Sequence, residues 1–414
     1  MSESSIIKTI VTHARPHEDE LAGIALLMEL PSRFDTSKAG IEIVTSDQGL
    51  EKYKSRDDVL FIGVGARSGF SAGCADRIFD EHGDKDKTVC SADLVARKVV
   101  QVNGEFKEFL DEVRLHDLGR SSAPTSLASV LKARYEQEDE HRVIEWGLRG
   151  LRAICRRIRD ARPITPNPDA FLEEAASAYE QVGRANRVDP RIFQGLLASF
   201  TGSANSGKMT EIGTMFYALM DESAPEARYW CRLATLDLAR RQVAFKKGVE
   251  DFKRNHTRLE VTTPFFVAKV AFMQSDSGLM DKVFRCRDAG AYDILVLRNA
   301  KGQVGIFTKN NPGQLAPLNL EPLVRMVRWA EIMASGKKPH SFWGLATEEG
   351  PKGEDTWYYF KQGGMILNGS KSKPEVRATR LTNKDLAYIL KCAFTERGLQ
   401  RFMRENGVLD SRIA

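Results

Sequence analysis

A chain of 414 residues is longer than one hydrophobic core supports, so two or three domains are expected. With 42% hydrophobic and 28% charged residues and a mean hydropathy of -0.35, the composition is that of a globular protein and excludes an extended disordered chain. A net charge of +5 is only mildly basic, and no apolar run approaches the roughly 20 residues of a membrane span.

The first residues lack the basic-then-apolar pattern of an export signal. The six cysteines are scattered, with no Cys-x-x-Cys pair, which argues against a thiolate zinc site or a disulfide framework. A cytoplasmic location away from membranes is therefore expected.

In chain order, the β-branched runs Ile6 to Val11, Ile41 to Val44 and Val59 to Val64 read as strands. Helix-spaced apolar residues over Glu20 to Leu30 and Ala92 to Val100 read as helices. Strands alternating with helices predict an α/β domain over 1–125 with a parallel sheet, its polar side chains gathered at the carboxyl ends of the strands. From 126 to 260 the pattern is helical: Leu127 to Arg159, Asp169 to Ala185, Pro190 to Ser199, Glu211 to Met220 and Glu226 to Lys253. The prolines at 163, 166 and 168 separate the first two. Residues 261–414 return to strands, including a hairpin of Ile294 to Leu297 with Val304 to Phe307. Helices over Leu320 to Ser335 and Asn383 to Glu396 flank a glycine-rich segment, Phe360 to Ser372, which predicts a smaller α+β domain.

Directly after the first strand stands Thr12-His13-Ala14-Arg15-Pro16-His17-Glu18-Asp19-Glu20. Four of the seven histidines, His13, His17, His82 and His116, fall in the first 120 residues, the last three each with a carboxylate beside it and His13 five positions before Glu18. They are expected at successive strand ends. Mixed imidazole and carboxylate donors suit Mn²⁺, Fe²⁺ or Zn²⁺ better than Ca²⁺. Paired divalent ions about 3.5–4 Å apart are a common device for in-line attack on a phosphodiester. Asp19, Glu20, Asp80, Glu81 and Asp117 are the carboxylates on hand to offset such charge.

Taken in order, four segments resemble the motif series of the DHH phosphoesterase superfamily, which includes oligoribonucleases and MYG-type exonucleases. They are the His13 to Glu20 cluster, Asp58-Val59-Leu60-Phe61-Ile62-Gly63-Val64-Gly65, Phe79-Asp80-Glu81-His82-Gly83 and Leu115-His116-Asp117. The C-terminal Tyr358 to Gly369 is similar to a glycine-rich element that in this family helps hold the nucleic-acid end. The resemblance implies metal ligation by His13, His17, Asp19, Asp80, Glu81 and Asp117, with one or two Mn²⁺ (or Mg²⁺) ions. It implies catalytic roles for Asp19, Asp80 and His82, the last facing the substrate phosphate. It also implies substrate contacts by Lys361, Gly363, Gly364, Asn368 and Gly369. The substrates implied are RNA ends, a short oligonucleotide or a nucleotide; the assembly is left open, a homodimer included.

Two positions depart from the family pattern. The aspartate that follows the hydrophobic strand is here Gly63, and the first histidine of Asp-His-His is Glu81. Loss of a bridging carboxylate implies either a one-metal centre or a protein that binds nucleotide or nucleic acid without cleaving it.

Three other features have competing readings. Gly202 to Thr210 nearly spells a P-loop, but Met209 stands where a hydroxyl should hold Mg²⁺ and a helix precedes it, so an inter-helix turn is expected. Trp357 to Phe360 reads more readily as an aromatic strand in a sheet than as a base-stacking platform. The basic clusters Arg142 to Arg162 and Arg240 to Arg258 either guide a polyanion or pair with nearby acids.

Overall fold

The protein is described by a computed structural model over residues 5–45, 47–66, 72–81, 88–99, 104–120, 123–309, 318–348, 350, 356–361, 363–369 and 375–408. It divides into two compact units, Met1–Val243 and Ala244–Ala414.

The first unit opens with β1 (Ser5–Ile6), β2 (Thr9–His13), α1 (Glu18–Glu29), β3 (Phe34–Asp35), β4 (Gly40–Val44), β5 (Val59–Ile62) and β6 (Ile78–Phe79). Four of these strands form a parallel sheet in the order β4-β2-β5-β6, and β1 pairs with β3 separately. Ile10 faces Ile41 on one neighbour and Leu60 on the other. All four side chains of β5 are fully buried, the mark of a parallel strand covered on both faces. The chain runs from β2 outward to β4 and then returns to the opposite side of β2 for β5. Strand order therefore reverses between β2 and β5, and an α/β sheet opens its binding crevice at the carboxyl side of such a reversal.

Helices follow: α2 (Ser91–Val99), α3 (Gly104–Asp117), α4 (Leu127–Arg134), α5 (Glu140–Arg159), α6 (Pro168–Asn186), α7 (Gln194–Asn205), α8 (Ile212–Met220) and α9 (Ala224–Asn255). One core runs through sheet and helices, joining Ile10 and Leu60 to Leu21 and Ile24 of α1, Val95 of α2, Phe109 of α3, Leu151 of α5 and Trp230 of α9. Trp146 and Trp230 stack with centroids 4.5 Å apart, and each indole N–H donates to the other's backbone carbonyl. Gly150 lets Trp230 approach: a Cβ there would stand 2.7 Å from the indole ring.

Two expectations are corrected here. Leu127 to Arg159 is two helices, because the chain breaks at Tyr135 and Asp139 caps α5 by accepting the His141 N–H at 3.0 Å. Residues 104–117 form a helix, so His116 and Asp117 end α3 and do not follow a strand. The chain divides after Val243, and the helices up to that point share the core of the sheet.

The second unit carries β7 (Thr257–Thr262), β8 (Val267–Gln274), α10 (Met280–Val283), β9 (Ile294–Arg298), β10 (Val304–Thr308), α11 (Glu321–Ala334), β11 (Tyr358–Phe360), β12 (Met365–Leu367), α12 (Asn383–Ala393) and α13 (Glu396–Glu405). Its six-stranded sheet has the order β11-β12-β10-β9-β8-β7, with β8 and β9 parallel and the other pairs antiparallel. The β9–β10 hairpin pairs as the sequence predicts, Gly305 opposite Leu297. Alternation along β8 separates two cores: Val270 and Phe272 pack with α11 and α12, while Ala271 and Met273 pack with α10 and the end of α9. The fold is thus an N-terminal parallel α/β sheet, a helical middle and an α+β C-terminal unit.

Candidate metal centre

His13 is the last residue of β2, at the switch point of the first sheet. The chain then turns through Arg15, which adopts a left-handed φ of 54°, and Pro16, whose carbonyl accepts the Tyr135 hydroxyl at 2.9 Å. This turn brings the His13 and His17 rings edge to face, 5.4 Å apart. His17 is the N-cap of α1, and its backbone N–H donates to Glu20 Oε2 at 2.6 Å. A carboxylate at the third helical position answers both the orphan N–H and the helix dipole. The other oxygen of Glu20, Oε1, lies 3.0 Å from His13 Nε2. Asp19, one residue earlier, accepts the Ser91 N–H at the start of α2 through Oδ2 at 3.2 Å.

Two sets of three donor atoms each lie within 4.8 Å of one another: His13, His17 and Glu20, and His17, Asp19 and Asp117. Asp19 is 1% exposed, and its Oδ1 has no hydrogen-bond partner. An unpaired buried carboxylate oxygen is costly unless a cation answers it. Burial, then the charges of Glu20 and Asp117, push the Asp19 carboxyl well above the usual range. Asp117 sits at the C-terminal end of α3, where the dipole disfavours an acid, so helix stability does not explain it. The donors present, two imidazoles and three carboxylates, suit a borderline divalent ion such as Mn²⁺, Fe²⁺ or Zn²⁺ better than Ca²⁺.

The histidines divide in behaviour. Burial works to lower His13, but the hydrogen bond and charge of Glu20 outweigh it and raise the imidazole to about 9. Burial likewise opposes ionisation of Glu20, and His13 overcomes it to hold the carboxyl at about 2. His17 is lowered, chiefly by desolvation, which favours the neutral ring that ligates metal.

At position 63, where the resemblance leads one to expect a carboxylate, the Glu20 side chain stands close by. Gly63, directly after β5, has a φ of +68°, and a Cβ placed on it would stand 2.6 Å from Glu20 Cγ and 2.7 Å from Glu20 Oε1. The Glu20 side chain fills the space into which a side chain at 63 would project. A carboxylate therefore reaches this position from helix α1 instead of strand β5. Glu20 was named in the sequence only among the acids that balance charge; the signal that singles it out is its third place after the cap, opposite a glycine.

The remaining expected ligands are nearby but differently engaged. Asp80, just after β6, is buried and accepts the Ala66 N–H at 2.8 Å. Glu81 accepts the Ser91 hydroxyl at 2.7 Å, and its charge acts on His13, His17 and Asp19. Neither belongs to the two donor sets. His82 lies outside the described residues. His116 does not join the sets either, because its Nδ1 pairs with buried Glu18 at 2.7 Å.

In the second unit, the glycine-rich residues have reasons within the fold. A Cβ at Gly363 would stand 2.3 Å from the Phe360 ring, and one at Gly369, where φ is +79°, would stand 2.6 Å from Gln303. Gly364 accepts Thr308 N–H and hydroxyl, and Lys361 pairs with Glu321 at 3.1 Å. Asn368 is 1% exposed and spends its amide on Thr356, Arg377 and Thr379. Asn368 and Gly369 also line a cavity of about 450 Å³ beside Asp281 and Gln303. Trp357 is fully buried with its N–H toward Glu331, so the aromatic run is a sheet strand. Gly202 to Asn205 lies inside α7, which removes the phosphate-cradling loop.

The arginines of the first basic cluster are committed to acids. Arg152, Arg156 and Arg159 converge on Glu29, Arg156 also pairs with Glu222, and Arg157 with Asp221. Arg142, Arg149 and Arg162 pair with Glu138, Glu226 and Asp160. In the second cluster, Arg240, Arg241, Lys246, Arg254 and Arg258 are also paired. Pairing with acids is the reading that these contacts favour.

No family model matches the chain, and no curated protein matches it. Among solved structures, an uncharacterized protein from Helicobacter pylori G27 is similar at 9% identity, over 94% of this chain and 99% of that one, with a TM-score of 0.23. A likeness this low carries no argument about function.

Proposed function

We propose that the chain is a divalent-metal-dependent phosphoesterase acting on RNA ends, short oligonucleotides or a nucleotide, in the cytoplasm. The observation that carries this reading is the buried, partnerless Asp19 oxygen set among His17, Asp117 and the His13–Glu20 pair. In this reading His13, His17, Asp19, Glu20 and Asp117 hold one or two ions, with Mn²⁺ preferred. A bound divalent ion supplies hydroxide near neutral pH and neutralises the charge that develops on phosphorus-bound oxygens. The protein's own part is to hold the donors rigid: Ser91 N–H fixes Asp19, and His17 N–H fixes Glu20. Glu20 also holds a proton on His13, which leaves when the imidazole ligates. Asp80, held by the Ala66 amide at the end of β6, completes the carboxylate wall of the crevice.

The alternative of a degenerate binder rested on the glycine at 63, and Glu20 in that space weakens its motive. Elemental analysis of protein purified without chelator, together with Mn²⁺-dependent hydrolysis of a short RNA and of bis(p-nitrophenyl) phosphate, tests the reading. Stoichiometric metal lost in Asp19→Asn, with hydrolysis lost in parallel, is expected. Protein that takes up no metal and cleaves neither substrate would overturn it; RNA binding without metal would restore the binder.

A further inference from the structure

With the two sequence clusters largely committed to acids, a further concentration of cations lies at the C-terminal helix pair. α12 and α13 meet so closely at Gly398 that a Cβ there would stand 2.4 Å from the Cys392 carbonyl oxygen. Beside this crossing lies a cavity of about 900 Å³ whose lining includes Lys384, Lys391, Arg397, Arg401, Arg404 and Glu405. Glu405 is already engaged, accepting the Tyr388 hydroxyl at 2.5 Å and Arg401 Nε at 2.9 Å. Lys384, Lys391, Arg397 and Arg404 make no ion pair among the described residues. Four cations thus line one concave surface whose one acid, Glu405, is bonded to Tyr388 and Arg401.

The chemistry of the lining narrows the ligand. Tyr388, the aromatic ring of the lining, is packed by Phe402 at 6.2 Å and by the Arg401 guanidinium at 5.7 Å, which leaves it poorly placed to stack a base. Recognition therefore runs through charge. The cavity is far larger than a single phosphate needs, which suits a run of phosphodiesters. A membrane surface is disfavoured, because none of the exposed large apolar side chains of the described residues lies on α12 or α13. We infer that the α12–α13 groove is a sequence-independent site for the phosphate backbone of single-stranded RNA. The choice of RNA over other polyanions rests on the proposed activity; the groove itself does not.

The test uses the full chain in EDTA, so that neither metal uptake nor cleavage affects the result. A fluorescein-labelled 12-nucleotide single-stranded RNA is titrated by anisotropy across a range of KCl concentrations. The variant Lys391→Gln/Arg397→Gln/Arg404→Gln is expected to bind at least about 10-fold more weakly at low salt. Its salt slope is expected to fall by about 2, from roughly 0.7 per lost phosphate contact. Lys391→Arg/Arg397→Lys/Arg404→Lys keeps the charge and is expected to bind as wild type, which excludes a folding defect at these exposed positions. Unchanged affinity in the glutamine variant would overturn the proposal, as would wild-type protein that sediments with phosphatidylserine vesicles but ignores RNA. Metal content of the same chelator-free preparations, read before EDTA is added, keeps the two ideas apart: full metal with groove-independent RNA binding removes the groove alone, and groove-dependent binding without metal removes the hydrolase alone.

Discussion

Replacing Gly63 with alanine separates two costs that the geometry sets. The first is backbone: an L-residue at φ +68° costs roughly 1–2 kcal/mol. The second is the collision of the new Cβ with Glu20 Cγ at 2.6 Å, Oε1 at 2.7 Å and Cδ at 3.1 Å. Overpacking of this kind costs about 1–3 kcal/mol. Glu20 cannot simply swing aside, because Oε2 holds the His17 N–H and Oε1 faces His13. Gly63→Ala is therefore expected to destabilise the metal-free protein by about 2–5 kcal/mol. In the Glu20→Ala background the second cost vanishes and the first remains, so a double-mutant cycle should return a coupling of about 1–3 kcal/mol favouring the double variant. Urea unfolding in EDTA, with midpoints and slopes compared across the four proteins, measures it. Additivity within about 0.5 kcal/mol would refute the claim that Glu20 occupies the side-chain space of position 63.

Two further outcomes follow from buried charge. His13 is raised from 6.5 to about 9, so the stability it contributes is fully present below pH 6.5 and is lost as pH rises through 9. Metal-free wild type should lose stability across that window, and His13→Gln should lose less, the remainder coming from His116, which Glu18 also raises; parallel pH profiles would exclude the His13–Glu20 pair as a cause. Asp237 accepts Arg134 at 2.7 Å and Arg240 at 3.1 Å, with the Arg134 and Asp237 side chains each 4% exposed. Asp237→Ala leaves Arg134 buried without its partner and is expected to cost about 3–5 kcal/mol in urea unfolding, far more than Glu180→Ala at the exposed end of α6.

The parallel sheet was legible because its strands are short β-branched runs, and Val59 to Ile62 is apolar at every position, as burial on both faces requires. The centre was legible in part, since His13, His17 and Asp19 follow a strand directly and local sequence sets their spacing. Helix α3 was missed because Lys107, Glu108, Asp111, Glu112 and Arg114 dilute an apolar stripe of Phe106, Phe109, Leu110 and Val113 that buries well once α1 is beside it. Pairings such as Arg156 with Glu29, or Glu18 with His116, join residues about a hundred or more positions apart. No local pattern announces them, so arginine runs that resembled an interaction surface proved to be largely paired with acids of the same chain. The same holds for Glu20: its role depends on an absent side chain forty-three positions away, and only the fold brings the two together.

Asp19 is where stability and the proposed chemistry pull apart most measurably. Its carboxyl is raised above the ordinary 3.8, so the stability of its protonated form is present below 3.8 and is lost as pH rises through the folded value. At neutral pH, without metal, Asp19 is therefore a burden on the fold. Asparagine keeps an acceptor for the Ser91 N–H and removes the ionisable oxygen that has no partner. Asp19→Asn is expected to stabilise the protein in EDTA by about 1–3 kcal/mol. Mn²⁺ should reverse the order: at a free concentration 100 times its Kd it adds about 2.7 kcal/mol to wild type and nothing to a variant that cannot bind it. Thermal unfolding of both proteins, in EDTA and across a Mn²⁺ series, reads the crossing directly. A variant less stable than wild type in EDTA, or shifted equally by Mn²⁺, would make Asp19 an ordinary structural acid and remove the main support for a metal at this crevice.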